Sequence, residues 1–93
     1  MEELRFLTVA AVKYDLYYYR VYGREYMGGY ENKPASIIGY LWAKDMEEAH
    51  KYALRGYGED YLIDWIEQEY FTNGEPVTGK KQEEYTKKCL VKF

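Results

Sequence analysis

The stretch that most constrains this chain runs from Ser36 to Glu48. Residues 36–43, Ser-Ile-Ile-Gly-Tyr-Leu-Trp-Ala, join β-branched and aromatic side chains without a single charge, the composition of a strand. Asp45-Met-Glu-Glu48 follows at once as a capping box, in which the Asp45 carboxylate accepts from first-turn amides and Glu48 reaches back. Met46, Ala49 and Ala53 then share one face of a helix over 45–56 that ends near Gly56 or Gly58. A strand that runs into a capped helix points to the α+β class.

The flanking segments add strands to that unit. Residues 4–12, Leu-Arg-Phe-Leu-Thr-Val-Ala-Ala-Val, are rich in β-formers and read as a strand buried on both faces. Residues 16–22 read as a second strand. The competing reading is one helix over 4–22, because Leu4, Leu7, Ala11, Tyr14, Tyr18 and Val21 recur at helical spacing; three consecutive tyrosines favour strands. Residues 23–35, with Gly23, Gly28, Gly29, Asn32 and Pro34, form a connection. In residues 60–71, Tyr61, Ile63 and Trp65 alternate as in a strand, while Leu62, Ile66 and Tyr70 keep helical spacing; the strand is preferred. Residues 72–80 are turn-rich, and Tyr85, Cys89, Val91 and Phe93 suggest a last strand. The expected order is β-β-β-α-β-β: an antiparallel or mixed sheet of four to five strands with one helix on a face.

A chain of 93 residues makes one domain over 1–93 and buries only about 60–65% of its unfolded surface, which allows one modest core. The longest apolar run is far short of the ~20 residues a membrane span needs, and Met1-Glu2-Glu3-Leu4-Arg5 is acidic where a secretory signal is basic. Cys89 is the single cysteine, so no internal disulfide can form, which fits a cytoplasmic setting.

Residue counts also remove most catalytic chemistry. The chain carries no phosphate-binding glycine loop and no dinucleotide fingerprint, since Gly23, Gly28 and Gly29 have the wrong spacing. Ser36 is the only serine and lacks the nucleophile-elbow surroundings. His50 is the only histidine, which removes His-pair metal sites; on a helix with Glu47 and Lys51 it reads as a solvated residue. A Cys89–His50 nucleophilic pair is opposed by the setting Cys-Leu-Val-Lys-Phe, where a small buried hydrophobe is the plainer reading. Carboxylates such as Asp60 with Asp64, or Glu67 with Glu69, could do acid–base work or hold a cation, but a solvated face is the default for so acidic a chain. No catalytic residue, metal or cofactor is expected.

Two uneven distributions remain. Residues 45–75 carry nine acids against Lys51 and Arg55, a balance of -7, within a total of -3. Such a surface repels phosphate backbones and steers toward basic partners, so direct nucleic-acid binding is disfavoured. Tyrosine supplies 13 of 18 aromatic rings, and seven of them fall between 14 and 30. In a strand Tyr17 and Tyr19 face one way and Tyr18 the other, so both faces carry rings. Exposed tyrosine suits interface centres, and with Arg20 and Arg24 nearby it could also stack a nucleotide.

The run Gly39-Tyr-Leu-Trp-Ala-Lys-Asp-Met-Glu-Glu-Ala-His-Lys-Tyr-Ala53, followed by Tyr57-Gly58, resembles the strand–helix unit of many small phage and plasmid proteins. In size, mild acidity and tyrosine content the chain is also similar to phage-encoded inhibitors of bacterial defence, including anti-CRISPR proteins. That likeness implies a non-enzymatic inhibitor acting on a host protein. The expected contact residues are Tyr17, Tyr19, Tyr22 and Tyr26, with Glu59, Asp60, Asp64, Glu67 and Glu69 meeting a basic partner surface. The alternative is an oligomer that binds a small ligand or nucleotide through Tyr and Arg. A homo-oligomer is compatible with either, and no membrane is involved.

Overall fold

The computed structural model describes residues 7–25 and 34–91, with side chains up to Lys87. In chain order it contains α1 (Val9–Lys13), β1 (Tyr17–Glu25), β2 (Ser36–Ala43), α2 (Met46–Tyr57), β3 (Tyr61–Gln68) and α3 (Gly79–Val91). The strands form one antiparallel sheet in the order β2-β1-β3. The class is α+β as expected, but there are three strands among the described residues, not four or five, and three helices, not one.

The two differences have one local cause. At residues 9–13 the chain is helical, neither the strand over 4–12 nor the single helix over 4–22; residues 4–6 lie outside the described residues. The Thr8 hydroxyl accepts from the Ala11 amide at 3.0 Å and starts this helix. It stops at Asp15, a non-glycine residue at φ 51°, and the chain turns into β1. The last segment is also a helix, so Tyr85, Cys89 and Val91 belong to α3 and not to a strand, and Phe93 lies outside the described residues. Thr78 starts it, accepting from the Lys81 amide through its hydroxyl at 3.3 Å and from the Gln82 amide through its carbonyl at 2.9 Å. The Asp15 carboxylate caps the same end, accepting from the Lys80 amide at 3.1 Å. A threonine cap thus opens each helix that β-propensity and alternation had hidden.

The central unit follows its sequence closely. Asp45 accepts from the Glu48 amide at 2.9 Å, and Glu48 returns to the amide of Lys44 at 3.0 Å instead of that of Asp45. Gly58 closes α2 by donating to the Leu54 carbonyl at 3.0 Å. Ala49 and Ala53 are fully buried, so their small side chains let α2 sit close on the sheet, while Met46 is exposed at its margin. Beneath them Tyr19, Val21, Ala43 and Ile66 complete the main core, with Tyr17, Ile38, Leu41, Tyr57 and Ile63 packed around it.

Both outer strands carry an extra residue opposite one point of β1. Register shifts place Ile38 of β2 and Asp64 of β3 out of pairing beside Tyr22 and Gly23. Gly23 is required there, because a Cβ would stand 2.6 Å from the Leu62 carbonyl oxygen and 2.9 Å from Ile38 Cδ1. A second, smaller core lies across the other face of the sheet at the start of β1. It consists of Tyr18, Phe71 and Val77, with Trp42 and Tyr85 against them.

Candidate interaction face

Alternation along β1 sends Tyr17, Tyr19 and Val21 under α2, and sends Tyr18, Arg20 and Tyr22 to the opposite face. Register brings their neighbours to that same face: Trp42 beside Tyr18, Tyr40 and Glu67 beside Arg20, and Trp65 and Ile37 beside Tyr22. The second core covers only the Tyr18 end. Beyond it Tyr40, Trp65 and Ile37 are 43%, 44% and 46% exposed.

Contacts within the sheet hold these rings in fixed positions. Tyr40 stacks on Tyr18 with centroids 5.4 Å apart and planes 5° from parallel. Trp65 stacks on Tyr22 at 4.6 Å and 20°. Between the two stacks the Arg20 guanidinium donates to the Glu69 carboxylate and, at 2.7 Å, to the Tyr22 hydroxyl. Partial burial opposes the charge on Arg20 most strongly, yet the hydrogen bonds to Glu69 and Tyr22 and the charge attraction of the same two groups together outweigh it and hold the pKa above its ordinary value. Arg24 grips Asp64, the residue added by the β3 bulge, with bonds of 3.0 and 2.7 Å. The face is therefore an ordered surface of rings and paired charges.

The structure divides the contact residues expected from sequence. Tyr19 is buried and Tyr17 half-buried, both in the main core under α2, so neither offers a free ring. Burial, and then the nearby Asp45 charge, raise the Tyr19 pKa. Tyr22 lies on the open face, and Tyr26 lies outside the described residues. Glu67 is exposed on the open face, whereas Glu69 is only 6% exposed beneath it, bound to Arg20. Asp64 is held by Arg24, and Glu59 and Asp60 are exposed in the turn between α2 and β3.

The acidity of 45–75 is thus partly spent inside the fold, because Asp64, Glu69 and Glu75 pair with Arg24, Arg20 and Lys81 from outside that segment. Sequence reading missed Tyr40, Trp65 and Ile37 as a unit with Tyr22. The parity of β1 was the available signal, but strand pairing was needed to bring the other strands into the same row.

Among the described residues no three His, Cys, Asp or Glu side chains gather into a metal-holding cluster. His50 is exposed on α2, and the Cys89 side chain lies outside the described ones. No described helix is long and apolar enough to cross a membrane. No protein-family model, no curated protein and no solved structure matches the chain.

Proposed function

We infer that this chain is a non-enzymatic protein-binding module whose contact surface is the open half of the sheet. The observation that carries this reading is the trio Tyr22, Tyr40 and Trp65, set around Arg20 and left uncovered by the helices. Tyr, Trp and Arg dominate binding energy at interfaces, and rings fixed by stacking lose little entropy on docking. Glu67 on the face, with Glu59 and Asp60 in the α2–β3 turn, gives the surface negative charge suited to a basic partner. A mobile-element inhibitor that masks a basic, nucleic-acid-binding surface of a host protein in the cytoplasm fits this description. The nucleotide-binding alternative has less support, because Arg20 and Arg24, the cations it needs for phosphate, already hold Glu69 and Asp64.

Capture from host lysate, followed by affinity measurement on the identified partner, tests the reading. Trp65→Ala is expected to weaken binding at least tenfold, near the ~2 kcal/mol of an interface hot spot, and Glu67→Lys to weaken it with reduced salt sensitivity. A partner bound equally well by wild type and both variants would sink the proposal.

A further inference from the structure

Three acids lie on β3 or just past its end, and they differ in what answers them. Glu69 receives the Arg20 guanidinium, and Asp64 receives that of Arg24. Glu67 stands opposite Arg20 in the strand register, yet Arg20 turns to Glu69 and to the Tyr22 hydroxyl. Glu67 has no ion pair among the described residues.

The neighbour of this carboxylate is an indole. Glu67 and Trp65 are exposed on either side of the buried Ile66, so they rise from one face of the strand about 6.5 Å apart along it. One face of the indole is taken, because Trp65 stacks on Tyr22 of β1 with centroids 4.6 Å apart. Among the described residues β3 is the last strand on that side. The second face of the indole therefore looks away from β1, and Trp65 stays exposed.

The same surface already combines a ring, an acid and a guanidinium. The Arg20 guanidinium carbon lies 5.7 Å from the Tyr22 ring centroid while the group donates to Glu69. Trp65 and Glu67 offer that combination outward, with the ring type that attracts cations most strongly.

We propose that Trp65 and Glu67 receive an arginine side chain of the protein that docks on this face, a step that rests on the docking reading above. The guanidinium lies flat on the outer face of the indole, and its N–H groups donate to the Glu67 carboxylate. Arginine suits the pair better than lysine, because a planar group stacks and donates at once while an ammonium is compact and strongly hydrated. Glu59 and Asp60, exposed in the turn that leads into β3, add negative charge that draws a cation toward this strand.

The test titrates the isotope-labelled full chain with the blocked tripeptide Gly-Arg-Gly at constant ionic strength, followed by nuclear magnetic resonance. The Trp65 indole signal, assigned through Trp42→Phe, and the Glu67 amide signal should move along one saturating curve with a Kd of ~10 mM. The lysine tripeptide should bind about threefold more weakly, and the neutral citrulline form should leave both signals in place. Glu67→Gln keeps the shape and removes the charge, and should weaken arginine binding about threefold. No saturable shift, an equal response to arginine and lysine, or an arginine response undiminished in Glu67→Gln overturns the proposal. Trp65→Ala, measured on the captured partner, keeps the two readings apart. Lost partner affinity without any arginine response overturns the arginine receptor alone, whereas a partner indifferent to Trp65→Ala overturns the docking reading and the receptor with it.

Discussion

The two faces of this sheet are built from the same kinds of side chain and reach opposite ends. Under α2, Tyr19, Val21 and Ile66 are sealed because Ala49 and Ala53 let the helix come close. Across the sheet a lid lies only at the Tyr18 end, where Phe71 and Val77 of the β3–α3 connection and Tyr85 of α3 supply it. Beyond it, rings are steadied by stacking and charges by pairing, and they stay in contact with solvent. What separates the faces is therefore what is laid over them, and adjacent residues of one strand serve different purposes.

Ile66 and Trp65 put this contrast to its sharpest trial. Ile66→Ala should remove about 2–4 kcal/mol of stability, seen as an earlier midpoint in urea unfolding. Trp65→Ala should cost under about 1 kcal/mol of stability while costing partner affinity at least tenfold. Equal destabilisation by the two would erase the distinction between the faces. A comparable loss is expected at the partial lid. A Cβ at Gly79 would overlap the Ala11 carbonyl, a backbone group that cannot swing aside, so Gly79→Ala should prise α3 from α1 at a cost of about 1–3 kcal/mol. Thermal melting would register this as a lowered Tm, and an unchanged Tm would mean that the lid is not closed at this point.

Smaller changes refine the picture. Gln82 is buried in α3, its Oε1 lacks a hydrogen-bond partner among the described residues, and its Nε2 lies 3.5 Å from the Thr86 hydroxyl. Gln82→Met keeps the volume and removes the stranded acceptor, so stability should rise by about 1 kcal/mol. Finally, burial raises the Tyr19 pKa above 10.0, because the folded state favours the neutral phenol. A raised acid pKa contributes stability that is fully present below the unfolded value and is lost as pH rises through the folded one. Stability should therefore fall above about pH 10 in wild type, and fall less in Tyr19→Phe, as followed by denaturant unfolding across that range.

Legibility of the fold followed the strength of local signals. The uncharged run at 36–43 and the Asp45 cap specify their elements almost alone, and both bounds match the structure within a residue. For 60–71, alternation at Tyr61, Ile63 and Trp65 beat the helical spacing, because β1 offers a pairing edge on that side. The missed helices lack any such advantage. Val9-Ala-Ala-Val-Lys13 is too short for a periodic pattern, and in α3 Tyr85 and Cys89 fit alternation and a helical turn equally well. Thr8 and Thr78 were the visible signs in each case, and single threonines are weak signs without knowing that their hydroxyls find an amide. The face itself was half legible: Tyr22 and Glu67 were read from sequence, but pairing across strands is what unites them with Tyr40 and Trp65.

The most direct test follows one ring through binding. Trp42 and Trp65 are the chain's two tryptophans, so Trp42→Phe leaves Trp65 as the sole indole reporter. On titration with the captured partner, Trp65 emission should shift to shorter wavelength and become shielded from iodide quenching. An unchanged spectrum and unchanged quenching at saturating partner would contradict the claim that this chain docks through the open half of its sheet.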